Sequence, residues 1–143
     1  MILSIPWLII AIILYNMIAF SSAWPAPGTP GTNIFNDPLV SFDLISGSTW
    51  ALTVGDLVTI VALVLLFVEL IKATRTGGSS IVDHAFSMIL FMICLIEFLV
   101  VRQAATSEFF FILIVTLIDV IAGFSITIRG ARRDFGFGGA GGD

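Results

Sequence analysis

The sequence predicts an all-α membrane protein: a four-transmembrane-helix bundle with both termini in the cytoplasm and a short extracytoplasmic β-hairpin between the first two helices. The composition is the first reason, since 58% of the 143 residues are hydrophobic and 11% are charged. A soluble domain usually carries about 25% charged residues. The second reason is the presence of four apolar segments, each near the roughly 20 residues that a helix needs to cross a bilayer. The third is the distribution of Lys and Arg.

The four apolar segments cover residues 2–20, 54–73, 81–101 and 109–128. Lipid offers the backbone no hydrogen-bond partners, so each segment is expected to be a helix. Together they predict one membrane domain, residues 1–133, followed by a flexible Gly-rich tail, residues 134–143. The first segment has an alternative interpretation as a signal peptide cleaved after Ala23. It has no Lys or Arg before its apolar run and is longer than the usual hydrophobic region of about 7–15 residues, which favours retention.

The orientation follows from the positive charges, which are concentrated in cytoplasmic loops of membrane proteins. Lys72 and Arg75 lie between the second and third segments, and three arginines follow the fourth. The third connection carries Arg102 alone, and the first connection, residues 21–53, has no Lys or Arg. This pattern predicts a multi-pass protein of the plasma membrane, the inner membrane if the source is bacterial, with residues 21–53 facing outward.

The outer connection contains one segment with a strand pattern. In "FDLISGSTWAL", apolar and polar residues alternate on both sides of a Ser-Gly-Ser turn, which is typical of a β-hairpin. A lone hairpin is only marginally stable in water, so its apolar face is expected to rest on a support, and the membrane interface is the nearest one. Trp24 and Trp50 flank the helices and are predicted to be interface anchors.

The helix starts also carry polar residues. The segments "TVGD", Thr53 to Asp56, and "SIVD", Ser80 to Asp83, fit a capping box ahead of an apolar run. Glu108 gives the fourth helix an acidic start that suits the helix dipole. Capping therefore explains these acids more simply than a catalytic role does.

Several function classes are disfavoured. The net charge of −4 provides no basic surface for nucleic acid. One cysteine, Cys94, and one histidine, His84, do not make a ligand cluster, so no metal site is predicted. The tail contains a G-x-G-x-x-G pattern from Gly136 to Gly141, but no strand precedes it and no helix follows it, so it predicts no phosphate site. We expect no cofactor, no nucleic acid and no soluble substrate, and we expect that the protein is not an enzyme.

Polar residues within the apolar segments are the candidate functional residues. Glu69 is expected in the cytoplasmic third of the second helix, Asp119 near the midplane of the fourth, and Glu97 in the outer third of the third helix, level with Asn16 of the first. Ionisable residues at this depth are costly and usually face the bundle or water. They predict a coarse ladder of acids through the membrane.

Helical periodicity places small residues beside these acids. At about 100° per residue, Thr116, Ala122 and Gly123 share the face of Asp119, and Ala62 shares the face of Glu69. Small residues let neighbouring helices approach closely. These faces are therefore predicted to be the packing faces, with the large aliphatic and aromatic side chains turned to lipid.

Two interpretations of the acids remain open. In the first they are neutral or hydrogen-bonded structural groups: Glu69 reaches Lys72 or His84, and an acid donates to a carbonyl or to Asn16. In the second they carry protons, with Asp119 as the strongest candidate because its nearest C-terminal charge, Arg129, lies ten residues away. His84 is expected to cap its helix or to pair with Glu69 near the headgroups.

The function predicted first is that of a non-catalytic accessory, assembly or structural subunit of a membrane complex. Its expected partners are the lipid bilayer and either another protein or further copies of the chain. The alternative is an oligomeric proton- or ion-relay or transport protein that uses Glu69, Asp119 and Glu97. A membrane enzyme is the weakest hypothesis, because the sequence has no nucleophile–base set, metal cluster or cofactor fingerprint.

Overall fold

A computed structural model describes residues 5–21, 33–74 and 80–136. Within these ranges the chain forms four α-helices and one two-stranded antiparallel sheet. The elements in chain order are α1 (Ile9–Ser21), β1 (Pro38–Asp43), β2 (Thr49–Thr53), α2 (Val54–Ala73), α3 (Ser80–Val100) and α4 (Ser107–Gly136). Short 3-10 turns precede β1 and α4, at Ile34–Asn36 and Arg102–Ala104. The predicted combination of four helices with a hairpin between the first two is confirmed.

Three of the helices in the described part of the chain are long and apolar enough to cross a membrane: the spans Val54–Ala73, Val82–Val100 and Ser107–Ile126. They coincide with the predicted segments 54–73, 81–101 and 109–128 to within two residues at each end. The Thr53–Asp56 capping box is formed, since the Thr53 hydroxyl accepts from the Asp56 backbone N–H at 3.1 Å and Asp56 accepts from the Thr53 N–H at 2.9 Å. At α4, the Thr106 hydroxyl accepts from the Phe109 N–H at 3.1 Å.

The predicted start of the first helix is wrong. α1 begins at Ile9 rather than at residue 2, and it has 13 residues, about 20 Å at 1.5 Å per residue. Pro6 explains the late start, because proline lacks a backbone N–H and disfavours helical conformation in the residue before it. Residues 5–8 instead form turns, in which the Ile9 N–H donates to the Pro6 carbonyl at 3.2 Å. Cleavage after Ala23, like the predicted anchor Trp24, falls outside the described residues.

Despite its short helix, the segment 5–21 runs along the bundle from near one end to the other. The Trp7 backbone contacts Glu69, close to the C-terminal end of α2. The Tyr15 hydroxyl contacts Thr106, just before α4 begins. The non-helical residues 5–8 thus supply length that α1 itself lacks.

The predicted end of the fourth helix is also wrong. α4 has 30 residues and continues to Gly136, eight residues beyond the predicted end at residue 128. The prediction ended the helix where the apolar run meets its first arginine, but arginine is a good helix former and a single interior glycine costs only about 1 kcal/mol. Residues 134–136 of the predicted flexible tail are therefore helical, and the rest of the tail falls outside the described residues.

Helix α4 is the central helix, because it packs along both α2 and α3 and also touches α1. The side chains with the deepest burial come from all parts of the described chain: Leu8, Tyr15, Phe35, Val58, Cys94, Phe109, Ile112 and Thr116. Large aliphatic and aromatic side chains on the outer faces of the helices are exposed. A soluble bundle turns polar side chains outward, whereas these apolar outer surfaces suit a lipid environment.

The hairpin has one apolar and one polar face. Val40 pairs with Leu52 and Phe42 with Trp50, so these four side chains point to the same side. The other face carries Ser41, Ala51 and the pair Asp43–Thr49, in which the Thr49 hydroxyl donates to Asp43 at 2.9 Å. Gly47, with φ of 81°, occupies the left-handed position of the three-residue turn, which a residue with a side chain adopts at a cost.

Candidate functional site

The buried polar side chains lie between α2, α3 and α4, and most of them lie near the end of the bundle opposite the hairpin. Their residues are at most 6% exposed: Glu69, His84, Ser87, Thr116 and Asp119. Glu69 is four residues from the end of α2, and His84 is four residues from the start of α3. Placing an ionisable side chain at membrane depth costs about 2.5–3.5 kcal/mol on insertion scales, so each needs partners inside the bundle.

Glu69 joins α2 to the N-terminal segment. One carboxylate oxygen, Oε1, forms a salt bridge with Lys72 Nζ at 2.6 Å, one turn further along α2. The other oxygen, Oε2, accepts a hydrogen bond from the Trp7 backbone N–H at 3.0 Å. Lys72 Nζ also donates to the Ile5 carbonyl at 3.5 Å. The predicted approach of Glu69 to Lys72 is therefore present, and Trp7 and Ile5 are partners that the sequence analysis missed.

Asp119 joins α4 to α3. The Ser87 hydroxyl donates to the Asp119 carboxylate, and Glu69, Lys72 and His84 are near enough to act on this carboxylate electrostatically. The structure thus brings together Glu69, Asp119 and His84, which were predicted on three separate helices. Ser87 was missed, although it lies three residues after His84 and seven before Cys94, the spacing that places all three on one face of α3.

The ring of His84 packs directly against Gly123. A Cβ atom built on Gly123 would collide with His84 Nδ1 and lie 2.6 Å from its Cε1. The ring also lies 5.7 Å from that of Phe124, centroid to centroid. Of the other predicted packing residues, Thr116 and Ala62 are buried, whereas Ala122 is half-buried. Gly123 therefore allows α3 and α4 to approach closely where the imidazole enters.

Polar groups continue from Asp119 toward the hairpin end of the bundle. Thr116, one turn from Asp119, is hydrogen-bonded to the Cys94 thiol, and Glu97 acts electrostatically on Cys94. We name the row along the α3–α4 interface the polar seam, comprising His84, Ser87, Cys94 and Glu97 of α3 and Thr116 and Asp119 of α4. Glu97 thus lies apart from the cluster around Asp119, and Cys94 and Thr116 lie between them along the interface.

Asn16 carries a buried acceptor on α1. Its side-chain oxygen Oδ1 is buried and has no hydrogen-bond partner among the described residues. The expected hydrogen bond from an intramembrane carboxyl group to this oxygen is therefore not formed. The Asp83 Oδ1 atom, at the other end of the bundle, is likewise buried without a hydrogen-bond partner in the described part of the chain.

The hairpin end of the bundle is closed by an aromatic cluster around Tyr15. The Tyr15 hydroxyl donates to the Gln103 carbonyl at 2.7 Å and lies 2.7 Å from the Thr106 hydroxyl. Its ring is stacked on Phe35, with centroids 4.6 Å apart and planes within 3°. Phe109 completes the cluster at 4.8 Å from Tyr15. This cluster was not among the predicted sites, although a lone tyrosine in an apolar run indicates a hydroxyl that needs a hydrogen-bond partner.

The predicted anchor Trp50 lies on the hairpin and is about half exposed. Its ring pairs across the strands with Phe42, with centroids 6.1 Å apart and planes within 16°. Within residues 5–21, 33–74 and 80–136, no three His, Cys, Asp or Glu side chains are grouped so as to hold a metal ion. The chain matches no protein-family model, no curated protein and no solved structure.

Proposed function

We propose that the chain is a small integral membrane protein that serves as a non-catalytic accessory or assembly subunit of a membrane complex. The observation that carries this proposal is that both deeply buried acids have partners within the chain. Glu69 is bonded to Lys72 and to the Trp7 backbone, and Asp119 is bonded to Ser87. Such groups hold helices in fixed positions, as interhelical hydrogen bonds do in other membrane proteins.

In the proposed topology the chain crosses the plasma membrane four times, and both termini lie in the cytoplasm. The three long helices supply three crossings. The fourth is supported by the path of segment 5–21, which reaches from Glu69 to Thr106. The hairpin then faces outward, away from most of the Lys and Arg residues.

The outer surfaces of the helices support a role in lateral association. Leu63 of α2, Ile89 of α3 and Ile121 of α4 are each more than half exposed and lie among other exposed apolar residues. Such surfaces accept either lipid or the apolar face of a partner helix. With the polar groups turned inward, recognition of a partner rests on shape and on close packing.

The subunit proposal is tested by photo-crosslinking in the native membrane. A photoreactive side chain is placed at Leu63, Ile89 or Ile121, and at the fully buried Ile112 as a matched control. We expect one exposed position to give a crosslinked product of a single discrete mass, and Ile112 to give none. A product at twice the mass of this chain supports the proposal with a further copy as the partner. No product at any exposed position, together with a monomeric mass in lipid discs, contradicts the proposal.

A second candidate function, an oligomeric proton relay, is favoured by the polar seam. Between Glu69 and Glu97 the seam offers Asp119, Ser87, Thr116 and Cys94, each linked to a neighbour by a hydrogen bond or an electrostatic contact. Proton transfer along side chains needs such a row of donors and acceptors. Asp119 is the acid of the seam on which Glu69 acts electrostatically.

The relay is tested with purified protein in liposomes that contain a pH-sensitive dye. Asp119→Asn keeps an acceptor for Ser87 but removes the titratable proton, and Ser125→Ala on the exposed face of α4 is the matched control. A relay predicts that the wild type and Ser125→Ala dissipate an imposed pH gradient, whereas Asp119→Asn retains it. A wild type that holds the gradient as well as empty liposomes do would eliminate this candidate.

A further inference from the structure

The hairpin presents an apolar face that no other part of the described chain covers. Val40, Phe42, Leu44 and Trp50 are between 46% and 52% exposed, although the hairpin is ordered by its own register and turn. Ile45, at the tip, is completely exposed. A two-stranded sheet is at best marginally stable on its own in water. The apolar face is therefore open to a partner outside the described chain.

The base of the hairpin is held firmly at the end of the bundle. β2 ends at Thr53 and α2 begins at Val54, so no linker separates them. On the other strand, the Asp37 carbonyl accepts from the Val54 N–H at 3.0 Å. Phe35, just before β1, is fully buried against Tyr15. Trp50 is thus four residues from the first residue of a membrane-length helix, and in the proposed topology it lies at the level of the headgroups.

The distribution of charge matches a lipid interface. Residues 38–53 contain no Lys or Arg, and their one acid, Asp43, lies on the polar face. Burial of the apolar face therefore desolvates no ionised side chain. Trp is enriched at the boundary between headgroups and acyl chains, and Trp, Phe and Leu form the apolar face of amphipathic segments that lie there. An amphipathic element lying in the plane of this boundary buries its apolar face to a depth of about 5–10 Å.

We propose that the hairpin is an interfacial membrane anchor, with the face formed by Val40, Phe42, Leu44, Trp50 and Leu52 seated on the outer lipid surface and the face containing Asp43 and Thr49 in water. This inference rests on the proposed function, in which α2 crosses the membrane. It adds a specific contact: the outer leaflet holds the hairpin flat against the membrane, so that the hairpin does not project into solvent.

The experiment measures the depth of single tryptophans in liposomes. Trp7 and Trp24 are replaced by Phe, which leaves Trp50 as the reporter, and the lipids carry bromine either near the headgroup or deep in the acyl chain. We expect shallow bromines to quench Trp50 several-fold more than deep bromines do, with little quenching by aqueous iodide. In Trp50→Phe/Thr49→Trp the indole moves to the opposite face, and we expect iodide to quench it instead. When all three native tryptophans are replaced by Phe, Val40→Trp provides an independent reporter on the apolar face.

A further reporter separates failure of this inference from failure of membrane insertion. Leu63→Trp in the triple Trp→Phe background lies midway along α2 and is expected to be quenched by deep bromines. If it is quenched and Trp50 is open to iodide, the anchor is refuted while insertion stands. If Trp50 escapes both quenchers and becomes accessible as the protein is diluted in lipid, a second copy covers the face, and the anchor is again refuted. Absence of Leu63→Trp quenching contradicts insertion itself.

Discussion

Gly123 shows how one residue sets the distance between two helices. Because it has no side chain, the His84 imidazole occupies the position that a Cβ would take. Ser87 lies one turn beyond His84 on α3, and Asp119 lies one turn before Gly123 on α4, so the two contacts are neighbours along the same interface. The close approach at Gly123 therefore also brings the Ser87 hydroxyl within reach of the buried carboxylate.

We predict that Gly123→Ala destabilises the protein by about 1–3 kcal/mol, the usual cost of overpacking a close contact. The added methyl group cannot be accommodated unless the imidazole ring or α4 shifts. The free energy of unfolding is measured by titration with a denaturing detergent in mixed micelles. In the double variant Gly123→Ala/His84→Ala the ring is absent, and the penalty of the glycine substitution should largely disappear. An equal penalty with and without the ring would show that His84 is not its cause.

Helical periodicity predicts which face of the helix these residues occupy, but it does not predict their partners. Helical periodicity places Thr116, Gly123 and Asp119 on one face of α4, and all three are buried. The bond from Ser87 to Asp119 depends on the depth and rotation of α3 relative to α4, and neither is encoded in the periodicity of one helix. Trp7 was missed because its contact with Glu69 uses a backbone N–H, which every residue except proline carries.

Among the elements, α1 is held by polar contacts just before its first residue and at its middle. It has 13 residues, and its first turn is preceded by non-helical residues that are held by Glu69 and Lys72. At the middle of α1, the Tyr15 hydroxyl bonds to the connection between α3 and α4. The apolar run begins at residue 2 but α1 begins at Ile9, because hydropathy indicates burial in lipid and does not indicate where Pro6 interrupts the helical backbone.

We predict that Tyr15→Phe destabilises the protein by about 1–3 kcal/mol, the cost of leaving buried hydrogen-bonding groups unsatisfied. Phenylalanine preserves the stack on Phe35 but removes the hydroxyl that bonds the Gln103 carbonyl and the Thr106 side chain. Thermal unfolding in detergent micelles measures the loss. In a Thr106→Val background the effect of Tyr15→Phe should be smaller, because one of its two partners is already gone. A Tyr15→Phe protein as stable as the wild type would show that the hydroxyl does not hold α1 in place.

At the scale of the whole molecule, the two ends of the bundle differ in chemistry. The hairpin end is closed by aromatic packing around Tyr15 and Phe35, and it carries Arg102 and no lysine. The opposite end holds the Glu69–Lys72 pair and the cluster around Asp119, and it is followed by the arginines at the end of α4.

The membrane-length helices were predictable, since their length and apolar composition are local properties of the sequence. The clustering of acids from separate helices was not, because it depends on tertiary packing.

The difference between the ends predicts the orientation of the chain, since Lys and Arg are retained on the cytoplasmic side. Five of the six positive charges, Lys72, Arg75, Arg129, Arg132 and Arg133, belong to one side. In intact cells, a membrane-impermeant maleimide is therefore expected to label Ser46→Cys in the hairpin turn. It should label Ser4→Cys and Asp143→Cys only after permeabilisation. Every variant retains the native Cys94. Because this cysteine is buried, it should stay unlabelled throughout, and labelling of Cys94 would report unfolding.

The Ser4→Cys variant decides whether segment 5–21 crosses the membrane. If it crosses, residues 4 and 46 lie on opposite sides, and their labelling in intact cells differs. If it does not cross, the two positions lie on the same side and label together, which leaves three crossings and places the termini on opposite sides. The bonds of Glu69 to Trp7 and of Tyr15 to Thr106 favour the first result, because they fix the segment at points near both ends of the bundle. Equal labelling of residues 4 and 46 would overturn the four-crossing topology without affecting the packing of α2, α3 and α4.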